Sequence, residues 1–204
     1  MPMRKIILSE FVSLDGFYAG KDGNLDWVTA DDEHHHEYSV KVLDSADLLL
    51  FGGTTYELFR EYWPKVRPNG NFPAGEVEVA ERMSVIDKLV ISKDQGYTDW
   101  HSRTLHEIDP AAIAELKNQP GKNIVIFGSG MIAQALINHQ LIDEFHILTQ
   151  PVALVEGKPL FANLRQQLNL KLLSVEQTNS GVVRHYYALD ASDVERQNYT
   201  KHAA

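Results

Sequence analysis

A chain of 204 residues with 44% hydrophobic and 23% charged residues has the make-up of a soluble globular protein, and its length suits one domain with a sizeable core. The absence of cysteine excludes disulfides, thiolate metal sites and a cysteine nucleophile. A net charge of −9 argues against a general nucleic-acid surface, which needs a basic face, so an anionic ligand would have to be held locally by backbone N–H groups and a few placed cations.

No apolar stretch approaches the length of a membrane span. The opening run Met1–Ser9 leads straight into a strand-like segment, with no separate signal-peptide core or small-residue cleavage site, so a cytoplasmic location is expected. Lys5–Val12 reads as a strand, Asp32–Asp44 as a helix, Asp47–Phe51 as a short apolar strand and Thr55–Tyr62 as a helix. Ala74–Met83 reads as helical, Lys88–Ser92 as a strand, and Ala111–Asn118 as a helix whose first turn follows Pro110. Asn123–Phe127 is a strand, Met131–His139 a helix and Glu144–Gln150 a strand. Lys171–Glu176 and Val182–Leu189 flank Thr178-Asn179-Ser180-Gly181, a hairpin turn. Runs such as residues 48–51 and 124–127 are apolar throughout, as expected of parallel strands covered on both faces, whereas the final pair alternates. The expected fold is α/β: a mostly parallel central sheet with an antiparallel C-terminal edge, helices on both faces, one domain over residues 1–190 and a polar, frayed tail over residues 191–204.

One arrangement occurs twice. Asp47–Phe51 runs at once into Gly52-Gly53-Thr54-Thr55 and a helix, and Asn123–Phe127 runs at once into Gly128-Ser129-Gly130 and the helix that opens with Met131 and Ile132. Glycine lets a ligand approach the backbone, and a helix start offers unpaired N–H groups and a partial positive charge. In a parallel sheet both turns fall on one edge, where open α/β folds bind ligands, so the pair predicts a nucleotide pyrophosphate site. A glycine also makes a tight connection with no ligand, and Thr54 with Glu57 has the spacing of a capping box, which would make Thr54 only a helix start.

Gly128, Gly130 and Ala133 also fit the dinucleotide fingerprint. The Rossmann version needs an acidic residue at the end of the next strand; here that end reads Thr149-Gln150-Pro151, which disfavours a Rossmann dehydrogenase. Ser92-Lys93 ends a further strand, where a hydroxyl and a cation suit the 2′-phosphate that separates NADPH from NADH; a solvated surface lysine is the alternative. The run Asp31-Asp32-Glu33-His34-His35-His36-Glu37 looks metal-binding, but successive helical residues point about 100° apart and do not converge on one ion. No metal site is expected, and the run reads as an acid-started helix N-terminus.

Ser13-Leu14-Asp15-Gly16-Phe17, Gly52-Gly53-Thr54-Thr55-Tyr56-Glu57, Val90-Ile91-Ser92-Lys93, Phe127-Gly128-Ser129-Gly130, Leu141-Ile142-Asp143-Glu144, and Pro151-Val152 with Gly157 and Pro159-Leu160-Phe161 occur in an order that resembles the dihydrofolate reductase-like family, in the branch with the reductase domain of the riboflavin-pathway deaminase-reductase. The resemblance spans about residues 3 to 189. Gly53 stands where family members often carry an arginine. The resemblance implies the reductase fold, NADPH and a homodimer. It places Leu14, Asp15 and Gly16 beside the nicotinamide, the threonine turn and the second glycine turn on the phosphates, and Ser92 and Lys93 on the adenosine side. In dihydrofolate reductases a carboxylate in the first turn after the opening loop, just past a tryptophan, serves the proton; here Trp27 ends the loop and Asp32 follows, although a helix start favours Asp by capping alone and Asp31 and Glu33 stand beside it. The resulting expectation is an NADPH-dependent reductase of a pterin-like or pyrimidine-like heterocycle, with Asp32 and Asp15 as catalytic candidates. A nucleotide-binding sensor or module without turnover is the alternative.

Overall fold

A computed structural model describes residues 4–29, 33–93 and 96–190. The strands are β1 (Ile6–Ser13), β2 (Phe17–Ala19), β3 (Ala46–Gly52), β4 (Asp87–Ile91), β5 (Ser102–Leu105), β6 (Asn123–Phe127), β7 (Glu144–Gln150), β8 (Lys158–Pro159), β9 (Leu170–Gln177) and β10 (Val183–Leu189). The helices are α1 (Glu33–Asp44), α2 (Gly53–Tyr62), α3 (Ala74–Val85), α4 (Pro110–Asn118) and α5 (Gly130–Asn138), with a 3₁₀ turn over Trp63–Lys65. The main sheet has eight strands in the order β5-β4-β3-β6-β1-β7-β10-β9. The first six are parallel, and β10 and β9 form the antiparallel edge. Gly181, at φ +86°, closes the hairpin between them, its N–H donating to Thr178 O at 3.2 Å.

Side chains of the central parallel strands β1, β3, β4 and β6 alternate between two buried layers, which is why their sequences are largely apolar. Ile6, Leu8, Leu48, Leu50, Ile124 and Ile126 pack with Ile113 of α4 and with Ile132, Ala133 and Leu136 of α5. Ile7, Leu49, Phe51, Val90 and Val125 pack on the other side with Tyr38 and Leu43 of α1, Tyr56 of α2 and Val79 and Met83 of α3. The crossovers from β1 to β3 and from β3 to β4 move towards the β5 edge and use α1, α2 and α3. Those from β5 to β6 and from β6 to β7 move the other way and use α4 and α5. A right-handed crossover rule requires this split of helices between faces.

The structure departs from the sequence reading in three places. β5 reads Ser-Arg-Thr-Leu, too polar and short for a strand pattern, and forms because β4 offers it an edge: Lys88 to Ile91 pair with Ser102 to Leu105. Phe17–Ala19 and Lys158–Pro159 form a small second sheet that no local pattern announced. α2 begins at Gly53, with Gly52 as its N-cap and no side-chain cap bond, so Thr54 is not the cap and no capping box forms. Glu57 instead accepts from Arg60 Nη2 at 2.7 Å.

Candidate active site

β3 leads towards β4 and β6 leads the opposite way towards β7, yet the two are neighbours, paired from Ala46/Asn123 to Leu50/Ile126. The crevice beyond their C-terminal ends is therefore the switch point of the sheet, where open α/β folds bind ligands. Both glycine turns meet there. Ser129, at φ 66° and ψ 54°, turns its hydroxyl away from its own helix. Its Oγ accepts from Gly52 N–H at 2.7 Å and donates to Thr55 Oγ1 at 2.9 Å, tying the two turns together. Neither α2 nor α5 has a side-chain cap bond, whereas Asp109 caps α4 through Ala111 and Ala112 N–H. Two adjacent helix starts thus direct uncapped N–H groups and partial positive charge at one crevice.

The approach to these turns is shaped by neighbours. A β-carbon on Gly53 would stand 3.2 Å from Ser92 Oγ and 3.6 Å from Tyr97 OH, so Ser92 at the end of β4 does face the first turn. Lys93 next to it is exposed, Thr54 is exposed and Thr55 half-buried. Gly128 takes φ +61°, with Thr55 Cγ2 at 3.3 Å from its would-be β-carbon. At Gly130 the space is already taken, since a β-carbon there would overlap the Tyr18 ring. The immediate structural reason for glycine at this position is therefore Tyr18, in addition to any ligand. Met131 at the start of α5 is 75% exposed, while Ile132 is buried in the core.

The segment after β1 carries Leu14, 72% exposed and bonded through its N–H to Val152 O at 2.7 Å, and Gly16 at φ +92°. The Asp15 carboxylate accepts from Ser13 Oγ at 2.6 Å, Leu154 N–H at 3.1 Å and Val155 N–H at 2.8 Å. The Ser13 hydroxyl and then these amides hold its pKa down to about 2. An acid so ionised does not supply a proton near neutrality, and its bonds hold the loop after β7 against the opening segment. Asp15 is thus placed as an anchor between two loops.

Asp31 and Asp32 lie outside the described residues. Of the histidines in that run, His35 stacks near Phe11, with ring centroids 5.3 Å apart, while His36 lies against Gly75 of α3. The two rings serve different neighbours, as the helical angle between consecutive residues requires.

Two polar residues escaped the sequence reading. Glu10 lies in the row of β1 side chains that faces α4 and α5, among Ile6, Leu8 and Val12. It is 5% exposed, its Oε2 has no hydrogen-bond partner among the described residues, and burial pushes its pKa well up, opposed only by the Phe11 N–H. A carboxylate inside Ile-Ile-Leu-Ser-Glu-Phe-Val was the available signal. Gln150, at the end of β7, is fully buried and accepts from Thr29 N–H at 2.9 Å, with its Nε2 unpartnered.

Comparison with known proteins agrees with this architecture. The chain is 33% identical over 187 residues to the uncharacterized Bacillus subtilis protein YyaP, covering 92% of this chain and 96% of that one, and 30% identical over 184 residues to the uncharacterized YwjB of the same organism. Among solved structures it is similar to a putative riboflavin biosynthesis protein from a Shewanella species, with a TM-score of 0.69 at 20% identity, covering 91% of this chain and 99% of that one. It is also similar to a pyrimidine reductase-like protein from Corynebacterium diphtheriae, with a TM-score of 0.66 at 15% identity and 92% of both chains covered. A third neighbour is a diaminohydroxyphosphoribosylaminopyrimidine deaminase/5-amino-6-(5-phosphoribosylamino)uracil reductase from Thermotoga maritima. It has a TM-score of 0.62 at 14% identity, and 92% of this chain matches 57% of that one. The family model described as the RibD C-terminal domain matches residues 4–184, and the chain belongs to that reductase-like family, with its dihydrofolate reductase-like fold.

Proposed function

We propose that this chain is a cytoplasmic, NADPH-dependent reductase of a small pyrimidine-like or pterin-like heterocycle. The observation that carries this reading is the pair of uncapped helix starts tied by Ser129 at the switch point. Their N–H groups suit a pyrophosphate, and the glycines leave backbone within its reach. When bound, NADPH supplies the hydride. The chain's own part is to bind the phosphates at Gly52–Thr55 and Gly128–Ile132, to keep Leu14 and Gly16 at the far end of the crevice, and to hold Ser92 and Lys93 where the adenosine side would lie. Asp15 braces the loop after β7 against the segment after β1, and Asp32 is proposed as the carboxylate that serves the proton.

Titration of the purified chain with NADPH and NADH tests the reading, followed by a screen of oxidised pyrimidines and pterins for loss of reduced-nicotinamide absorbance. NADPH is expected to bind more tightly than NADH. Lys93→Ala should remove about 1.5–3 kcal/mol from NADPH binding and spare NADH, since a charge-assisted phosphate contact contributes that much. Equal loss for both cofactors would place Lys93 elsewhere, and a chain that binds neither sinks the reading.

A further inference from the structure

Glu10 is the costliest side chain in its row. Ile6, Leu8 and Val12 on the same face of β1 are aliphatic and buried, and a carboxyl among them with one orphan oxygen gives up solvation without full return. Its place explains why it could be kept. Ser9 pairs with Phe127, and Gly128 N–H donates to Ser9 O at 3.3 Å, so Glu10 stands level with the second glycine turn. A β-carbon on Gly128 would lie 3.9 Å from Glu10 Oε1. The Tyr18 ring sits against Gly130, and Glu10 is near enough to Tyr18 for its carboxyl, whenever it is ionised, to add to the burial that raises the Tyr18 pKa. The carboxyl thus lies at the second turn, close to Tyr18.

The strand order sets what would reach it. β4, β3, β6 and β1 are consecutive neighbours, and at about 4.8 Å per strand they span about 14 Å of the sheet edge. A dinucleotide whose phosphates lie at the β3 and β6 turns would run its adenosine end towards Ser92 and Lys93 on the β4 side. Its other end then falls at β1. A protonated carboxyl shows one donor and one acceptor side by side, the complement of a primary carboxamide, which shows an N–H and a carbonyl. On the reading of the chain as a nicotinamide-dependent reductase, we propose that Glu10, as a neutral carboxyl, is the anchor for the nicotinamide carboxamide, reached when the Tyr18 ring rolls off Gly130. Burial raises the pKa of this carboxyl and so disfavours a fixed negative charge beside the ring.

The test compares the parent, Glu10→Gln and Glu10→Leu by calorimetry with two ligands. One is NADPH, and the other is its adenosine-side half, which keeps the pyrophosphate and lacks nicotinamide. Glu10→Leu should weaken NADPH by about tenfold or more and leave the half-ligand unchanged. Glu10→Gln, which retains a donor and an acceptor, should stay close to the parent. Free Glu10→Leu should also melt at a higher temperature, because it removes a buried orphan carboxyl. On the unaltered protein, a reduced cofactor whose carboxamide is replaced by a methyl ketone should bind about tenfold more weakly than NADPH, a measurement that needs no variant to fold. The assignment is overturned if Glu10→Leu binds NADPH as the parent does, if it loses both ligands equally, or if the methyl ketone binds like NADPH. A parent that binds neither ligand overturns the reductase reading, and this assignment with it.

Discussion

At Gly130 one glycine answers to two demands. Its hydrogen faces the Tyr18 ring, so any larger side chain meets Tyr18 before it meets a ligand. Gly130→Ala alone should lower both stability and NADPH affinity, and the two causes are separated by placing it in a Tyr18→Ala background. There the alanine has room, and a remaining loss of about tenfold or more in NADPH affinity at parent-like stability would locate the phosphate at this turn. Full recovery of affinity would leave the turn as a connection packed on Tyr18. For the proton, Asp32→Asn keeps shape and most capping capacity while removing the charge. Turnover should fall by about a hundredfold or more with little change in NADPH affinity or melting temperature, and turnover at the parent level across pH would mark Asp32 as a cap only. Gly52, Gly53, Gly128 and Gly130 were legible in sequence as turns, because glycine between a strand and a helix leaves a compositional trace. Glu10 was not, because one polar residue in an apolar strand has no local meaning until the neighbouring turn is known.

The elements show how a polar side chain can be fixed by the ends of others. Lys88 at the start of β4 is fully buried; its Nζ donates to Met83 O and, at 2.8 Å, to Ile86 O, closing the end of α3, and it lies 4.1 Å from the Trp100 ring centre. Burial lowers its pKa from 10.5 to about 8. Between those values the unfolded chain carries more protons than the folded one, so stability rises as pH rises through that window. Chemical denaturation should show a gain of about 2.5 kcal/mol over it, opposed towards its upper end by the ionisation of unfolded tyrosines, whose ordinary pKa is 10.0. Lys88→Met should remove the slope whatever its own stability, and a flat parent profile would show that Lys88 keeps its proton in the fold. The helices and strands with strong periodicity emerge close to their expected bounds: β3, β6, β7 and α4 shift by a residue or less. β5 and the β2–β8 pair were illegible because their residues pair only with an edge that other segments create.

For the whole molecule, the open end of the sheet is the feature with a consequence for assembly. β9 pairs only with β10 among the described residues, and it exposes Leu172, Leu173 and Val175 at 51%, 50% and 50%. An edge strand with that much apolar surface is a pairing liability unless another chain covers it, and a homodimer of the kind the family resemblance implies would use it. Light scattering should return twice the chain mass, and Leu172→Lys with Val175→Lys should shift it to the monomer at retained secondary structure; a monomeric parent, or a double variant that stays dimeric, removes β9 as the interface. Among the described residues no helix is long and apolar enough to cross a membrane. Sequence alone determined the α/β class, the mostly parallel sheet, the antiparallel edge and the two glycine turns, because period, apolar runs and turn chemistry act over a few residues. Tertiary structure decided that β3 and β6 are neighbours at the switch point, that Ser129 ties their turns, that Tyr18 covers Gly130 and that Asp15 braces the loop after β7. Each of those depends on contacts between residues separated by tens of positions, and such contacts follow from strand order, which no local pattern encodes.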